Sequence, residues 1–176
     1  MQKIASQDAI FAAIVEAPFG AVGVRTEGVA VRELTYLPAS FAEKTPTDAI
    51  AEKAARQVER YLNEPDFQFD LPLTPVGTEF QRKVWNVIRA IPRGQVLTYA
   101  QVARQIRSAP RAVGQACGNN WFPIVIPCHR VTATGGLGGF AHHDDEHGFH
   151  LNVKRWLLRH EGVLSLGLDF DGPQTR

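Results

Sequence analysis

The sequence has little cysteine and no long apolar run. Cys117 and Cys128 are its only thiols among 176 residues, and we predict the first to lie in a helix. Two such thiols give no disulfide framework, so we expect a reducing compartment. No apolar stretch approaches the roughly 18 residues of a membrane span, and residues 1–8 lack the apolar core of a signal peptide. These absences predict a soluble, cytoplasmic protein without a membrane partner.

Acidic residues are almost missing from the middle third of the chain. Residues 75–130 contain eight Lys and Arg against Glu79 alone, a net charge of +7, whereas residues 1–74 and 131–176 carry −4 and −2. An ordinary solvated basic face usually has acids interspersed among its bases. The imbalance therefore favours a surface that binds a polyanion, with the solvated face as the alternative.

With 176 residues, the chain is long enough for one large or two small domains. Because 44% of these residues are hydrophobic, it can also bury a core. Three β-prone segments at 10–17, 21–26 and 29–36 predict three antiparallel strands. A helix is predicted over 48–62, with Thr47 as its N-cap. Prolines punctuate the connector that follows, at Pro65, Pro72 and Pro75. We therefore predict an N-terminal α/β domain over 1–74 and a second domain over 75–176.

The second half of the sequence predicts helices. Thr78 with Gln81, and Thr98 with Gln101, each have the spacing of a capping box that opens a helix. A third helix is predicted over residues 111–118. The second and third helices are short and are joined by three or four residues, which is typical of a helix-turn-helix. Any two helices joined by a short turn would give a similar pattern.

A thiol beside an imidazole is the strongest chemical signal. Residues 127–131 read PCHRV, after the apolar residues 124–126 and before the glycine-rich stretch 135–139. Only a thiolate attacks, so Cys128 needs a group that takes its proton. On an extended approach strand His129 would point to the opposite face, so a direct bond requires a bend or a bridging water, and a third group should orient the imidazole. The alternative is that Cys128 is a small buried apolar residue.

Eight motifs in order give a more specific indication. They are residues 77–81, 91–94, 98–99, 111–114, 120, 126–131, 137–140 and 154–162. Their order and spacing resemble those of the O6-alkylguanine-DNA alkyltransferases, also called methylated-DNA–protein-cysteine methyltransferases. The resemblance is close over residues 77–162 and covers the front half only in general layout.

The resemblance implies both a fold and an activity. The fold would be α+β, with a ribonuclease H-like N-terminal domain built on a three-stranded antiparallel sheet, and a mostly helical C-terminal domain with a helix-turn-helix. The activity would be direct reversal of DNA damage, in which Cys128 takes an alkyl group from O6-alkylguanine once and keeps it. The implied partner is double-stranded DNA containing the lesion, bound by a monomer with cooperative binding left open. No cofactor and no metal are implied, and activity on O4-alkylthymine stays open.

Five residues match the family's catalytic positions. Cys128 would be the alkyl acceptor, His129 the water-mediated base, and Glu161 the carboxylate that orients the imidazole. Asn120 would brace the turn before the active-site loop. Tyr99 would crowd the target phosphate and donate a proton to the departing base.

The remaining matches concern DNA and the flipped base. Arg111 would enter the duplex and fill the gap left by the extruded nucleotide. The small residues Ala112 and Gly114 would let the recognition helix approach the minor groove, where little sequence information is read. The backbone carbonyls of Cys128 and Val131 would accept hydrogen bonds from the exocyclic amine of guanine.

The sequence departs from the family pattern at three places. Trp121 stands where a proline is usual, and the turn of the helix-turn-helix is about two residues shorter than is common. Residues 141–150 contain an insertion of about seven residues with four histidines and three acids. We interpret the insertion as a mobile, solvated lid at the pocket rim, with zinc binding as the alternative. The cysteines of the front-domain zinc site of some relatives have no match here.

Two other classes of protein remain open from the residues alone. A binding-only lesion sensor would share the basic half but would not use Cys128 as a nucleophile. A thiol hydrolase would use the same Cys128 and His129 pair but would turn over many times, whereas an alkyl acceptor forms at most one equivalent of product.

Overall fold

The computed structural model of the chain describes residues 9–145 and 147–163. The chain divides into two compact units. The first comprises Met1–Val76 with Trp121–Pro123, and the second comprises Gly77–Asn120 with Ile124–Arg176. Both units combine strands with helices, which makes the protein a mixed α/β protein.

An antiparallel sheet forms the centre of the first unit. Its strands are β1 (Ala13–Ala17), β2 (Gly20–Glu27) and β3 (Ala30–Leu37), in the order β1-β2-β3. The prediction of three antiparallel strands is confirmed. Gly20 has a φ of +139° at the start of β2, and a Cβ there would lie 2.3 Å from the carbonyl oxygen of Leu37. The tight β1–β2 turn therefore needs glycine at this position.

Helix α1 (Ala49–Asn63) packs on this sheet, but its first residue is capped differently from the prediction. Asp48 is the N-cap, and its side chain accepts a hydrogen bond of 2.7 Å from the N–H of Ala51. A second bond of 2.7 Å, from the hydroxyl of Thr26, holds the same carboxylate. The prediction of Thr47 as the cap was wrong, because the backbone N–H of Thr47 is bonded to the carbonyl of Ala12 next to the sheet.

The second unit is mostly helical. Its elements are α2 (Glu79–Arg89), β4 (Leu97–Thr98), α3 (Tyr99–Ile106), α4 (Pro110–Gly118), a 3-10 helix at Cys128–Arg130, β5 (Val131–Thr132) and α5 (Phe149–His160). Strands β4 and β5 pair in parallel. Within the ranges that the structure describes, no helix is long and apolar enough to cross a bilayer.

Both predicted capping boxes are present. The side chains of Thr78 and Gln81 exchange hydrogen bonds with each other's backbone at the start of α2, and Thr98 and Gln101 do the same at α3. These contacts satisfy N–H groups that a helix start otherwise leaves unpaired. The two helices therefore begin where the local sequence directs them to begin.

The segment before Cys128 is not a strand, contrary to the expectation of an extended approach. Ile124 has a left-handed backbone with a φ of +73°, and the chain then enters the 3-10 helix Cys128–Arg130. A hydrogen bond of 2.8 Å from the N–H of Cys128 to the carbonyl of Ile126 tightens this entry. The tight turn replaces the alternating side-chain directions of a strand, so the premise that the side chains of Cys128 and His129 point to opposite faces does not hold.

Candidate active site

A cavity of about 470 Å³ opens in the second unit. This volume lies within the range of small-molecule sites in proteins. Four groups of residues line it: Tyr99 at the start of α3, one side of α4, Cys128 at the floor, and the segment of residues 139–144 that leads into the insertion. Its lining comprises Tyr99, Pro110, Arg111, Gly114, Gln115, Cys117, Gly118, Cys128 and residues 139–144.

Cys128 is held at the floor of this cavity by Asn120. The thiol is buried, and its sulfur accepts a hydrogen bond of 3.2 Å from the side-chain amide of Asn120. The same amide nitrogen donates to the carbonyl of Ile126 at 2.8 Å. Asn120 follows α4 in the chain, so one side chain connects the end of that helix, the turn before Cys128 and the sulfur itself.

The surroundings of Cys128 favour its protonated form. A hydrogen bond with the thiol of Cys117, and then burial, raise the pKa of Cys128 well above its usual value, while Asn120 and Lys154 act in the lowering direction. A thiol of this kind needs a base before it can attack. The prediction for Cys117 was only that it lies in a helix, and no local pattern indicated that it belongs to this site. It is buried, but it lines the same cavity as Cys128.

Next to the thiol, His129, Arg130 and Glu161 form a buried charged cluster. The imidazole and the carboxylate are fully buried, and His129 Nε2 is hydrogen-bonded to Glu161 Oε1. Arg130 donates to the same carboxylate from Nε at 2.9 Å and from Nη2 at 3.1 Å. Arg130 Nη1 also donates to the carbonyl of Ile91 at 2.7 Å. The carboxylate is therefore shared between a base and a permanent cation.

The charge state of Glu161 determines which nitrogen of His129 is available. Burial alone would raise the pKa of Glu161, but the charges and hydrogen bonds of His129 and Arg130 outweigh it, and the pKa is lowered. An ionised carboxylate only accepts hydrogen bonds, so His129 Nε2 carries a proton. His129 Nδ1 is buried and has no hydrogen-bond partner within the described residues. In the neutral imidazole, Nδ1 is thus the nitrogen with a lone pair for a proton.

Lys154 is a site residue to which the sequence reasoning gave no role. It is fully buried on α5, and its ammonium donates to the carbonyls of Val131 at 2.8 Å and Gly139 at 3.0 Å. Burial lowers the pKa of Lys154 to about 7. A signal existed, because Leu151, Lys154 and Leu158 share one face of a helix at spacings of three and four, which puts a lysine in an apolar stripe.

The pairing of strands β4 and β5 positions Tyr99 at the cavity. Tyr99 directly follows β4, which pairs with the strand that follows the 3-10 helix, in the register Leu97 to Val131. Its hydroxyl donates to the carbonyl of Gly139 at 3.1 Å, and its ring lines the cavity. Burial, and then the nearby thiols, raise the pKa of Tyr99 above its ordinary range. The phenol therefore keeps its proton at neutral pH.

The residues predicted to contact DNA or to read the base differ in their exposure and in whether they line the cavity. Arg111 is exposed and lines the cavity together with Gly114, whereas Ala112 is half-buried and outside the lining. Val131 is fully buried and also outside the lining, and its carbonyl already accepts from Lys154. The carbonyl of Cys128 accepts from the N–H of Val131. Both carbonyls therefore already accept a hydrogen bond from within the protein.

The departures from the family pattern also have places in the structure. Trp121 lies in the first unit, where its carbonyl accepts a hydrogen bond of 3.0 Å from the N–H of Leu34, so pairing with β3 holds this position. Residues 141–144 of the insertion line the cavity. Across residues 9–145 and 147–163, no three His, Cys, Asp or Glu side chains are grouped to hold a metal ion. Glu146 of the insertion lies outside the described residues.

Comparisons with known sequences agree on one family. A family model described as "6-O-methylguanine DNA methyltransferase, DNA binding domain" matches residues 79–163. A methylated-DNA–protein-cysteine methyltransferase of Methanosarcina acetivorans is 34% identical over 161 residues, which cover 87% of this chain and 99% of the relative. One from Shigella flexneri is 48% identical over 103 residues, 54% of each chain. The first of these relatives matches over nearly its whole length.

Solved structures give the same indication for the fold. The O6-methylguanine methyltransferase of Mycobacterium tuberculosis superposes with a TM-score of 0.69 at 32% identity, covering 88% of this chain and 96% of the other. The structure of M. tuberculosis OGT in complex with DNA gives a TM-score of 0.69 at 32% identity, covering 85% and 91%. The likeness therefore extends over most of the chain.

Proposed function

This chain belongs to the methylated-DNA–protein-cysteine methyltransferase family, and we propose that it repairs O6-alkylguanine in DNA by direct reversal, with Cys128 as the alkyl acceptor. The observation that carries the proposal is a thiol that lines the cavity and is held by Asn120, next in the chain to a buried imidazole that is paired with a buried carboxylate. The partner is double-stranded DNA containing the lesion, and the protein acts as a monomer in the cytoplasm.

The reaction is a single displacement at carbon. The sulfur of Cys128 forms a bond to the alkyl carbon while the bond between that carbon and guanine O6 breaks, and the electron pair of the broken bond stays on guanine. The thiol proton leaves the sulfur, and guanine gains one proton to return to its normal form. A thioether is a stable product, so each chain acts once and no cofactor is consumed.

His129 serves as the base in this proposal. Its Nδ1 takes the proton of Cys128 through one water molecule, while Nε2 remains bonded to Glu161. The buried carboxylate stabilises the imidazolium that forms, and Arg130 keeps that carboxylate ionised. The Asn120 amide supports the developing thiolate, because its N–H points at the sulfur. The raised pKa of Cys128 is consistent with a thiol that is activated only when the base acts.

Helices α3 and α4 are proposed to form a helix-turn-helix that lies in the minor groove, with α4 as the recognition helix. Arg107, whose backbone is left-handed, ends α3, and only residues 107–109 separate the two helices. The indole N–H of Trp85 donates to the carbonyl of Ala116 at 2.9 Å and keeps α4 against α2. The +7 charge of residues 75–130 supplies attraction for phosphates that is independent of sequence.

Base flipping accounts for the position of the sulfur. Guanine O6 is inaccessible to a buried thiol within a duplex, so the base must leave the stack, and Arg111 at the exposed start of α4 fills the gap. Ala112 and Gly114 keep the helix surface small near the groove. The protonated phenol of Tyr99 donates to the departing base, and the backbone carbonyls of Cys128 and Val131 accept from its exocyclic amine. We further propose that the sheet of the first unit, with α1, is ribonuclease H-like.

Mass spectrometry of the modified protein tests the proposal. The purified chain is incubated under reducing conditions with duplex oligonucleotide containing O6-methylguanine, then digested. We expect the peptide containing Cys128 to gain the mass of one CH₂ group, and Cys128→Ser to abolish transfer, with Cys117→Ser as the matched control. Binding to the lesion with no mass gain would mean a lesion sensor, and repeated turnover would mean a thiol hydrolase. Either result contradicts the proposal.

A further inference from the structure

The insertion enters the cavity as a two-residue turn with an unusual backbone. Phe140 and His143 exchange backbone hydrogen bonds of 2.7 and 2.8 Å. The residues between them, Ala141 and His142, have φ values of +51° and +65°. This is the left-handed conformation of a type I′ turn, which favours glycine and asparagine and is unfavourable for most other residues. Strain of this kind persists only where the surroundings hold the backbone in place.

His142 ties the turn to the end of α4. Although its side chain is exposed, its Nε2 is 3.0 Å from Asn119 Oδ1, to which it donates. Its ring also packs directly on Gly118, the last residue of α4, where a Cβ would lie 2.2 Å from the imidazole. On the other side of the turn, the ring of His143 stacks on His150 at the start of α5, with centroids 3.9 Å apart and planes 6° apart. The turn is therefore held between two helices.

This turn and Cys128 bound the same cavity. Residues 141–144 line the cavity together with Cys128. In the proposed reaction the alkyl group occupies this cavity next to the sulfur during transfer. A substituent larger than methyl needs more of that volume, and packed protein walls resist added volume. We propose that His142 is a specificity-determining residue, whose tie to Asn119 and Gly118 fixes this wall and restricts the alkyl groups that reach Cys128. The inference rests on the proposed function, since it assumes alkyl transfer in this cavity.

The test compares two lesions in otherwise identical duplexes, one with O6-methylguanine and one with O6-benzylguanine. Single-turnover rate constants are measured for the full chain, and the benzyl-to-methyl ratio is calculated for each variant. His142→Ala removes the tie, and we expect the ratio to rise about threefold or more, as the loss of one hydrogen bond allows. Gly118→Ala keeps the imidazole but displaces it, so we expect a rise in the same direction.

His147→Ala is the matched control, because His147 belongs to the same insertion but does not line the cavity. The benzyl-to-methyl ratio of His147→Ala should equal that of the wild type. An unchanged or lower ratio in both His142→Ala and Gly118→Ala, in chains that still transfer methyl groups, overturns this inference alone. So does an equal rise in His147→Ala. No methyl transfer by the wild type would overturn the proposed function as well, which separates the two failures.

Discussion

The buried carboxylate of Glu161 offers the sharpest test of how the site is built. Glu161→Gln keeps the shape of the side chain but removes the charge shared by His129 and Arg130. The carboxylate is fully buried and the side chain of Arg130 is only 13% exposed. Solvent therefore replaces little of the lost interaction, and the guanidinium keeps only part of its hydrogen bonding.

The expected loss of stability is large for a single substitution. Removing one partner of a buried ion pair typically costs about 3 to 5 kcal/mol, because the other charge stays buried without compensation. The amide oxygen of glutamine still accepts one hydrogen bond, so we expect the lower end, about 3 kcal/mol. Glu79→Gln is the matched control, since Glu79 is 84% exposed and lies 3.8 Å from Lys83. An exposed pair of this kind contributes at most about 1 kcal/mol.

The loss of stability in Glu161→Gln should also become smaller as the pH falls. The pKa of Glu161 is lowered in the folded protein, so its contribution is complete above the unfolded-state pKa of about 4.3 and is lost as the pH falls below that value. Urea unfolding at pH 7 and at pH 3 measures the difference between wild type and Glu161→Gln. A difference below about 1 kcal/mol at pH 7, or an equal difference at both pH values, would refute the reasoning.

Two further predictions concern the groups next to the thiol. Because burial lowers the pKa of Lys154 to about 7, the unfolded chain binds more protons between pH 7 and the normal lysine pKa near 10, so wild-type stability should rise with pH over that interval. Lys154→Met should flatten that part of the stability curve, and an unchanged slope would contradict the burial argument. Asn120→Ala removes the N–H that donates to the Cys128 sulfur. Alkylation of Cys128 by iodoacetamide should therefore slow, and the midpoint of its rate against pH should move upward. A midpoint that stays in place would show that Asn120 does not act on the thiolate.

Local signals in the sequence were sufficient for several elements. The capping boxes at Thr78 and Thr98 place the starts of α2 and α3, because their hydrogen bonds join residues three apart. The prediction of the N-cap of α1 was wrong because the contact that decides it is not local. Thr47 and Asp48 are both good caps, and the choice between them depends on the distant contact with Thr26, which no local pattern contains.

The parts of the site that were missed depend on contacts between distant segments. The apolar residues before Cys128 have the composition of a strand, but Ile124 is left-handed and the chain turns there. Cys117 reaches the cavity only because α4 ends beside the turn that carries Cys128. The two carbonyls that accept from the buried ammonium of Lys154 come from different segments, strand β5 and the loop that contains Gly139. Motif order predicts Cys128 as the acceptor, but such a pattern gives no information on the residues that surround it.

A titration of the purified chain with lesion-bearing duplex tests the central claim most directly. Increasing amounts of O6-methylguanine duplex are added to a fixed amount of protein, and both restored guanine and methyl label on Cys128 are counted. We predict that both rise together and stop at one equivalent per chain, whatever the excess of DNA. Product that continues beyond one equivalent, or label that accumulates on any residue other than Cys128, would contradict it.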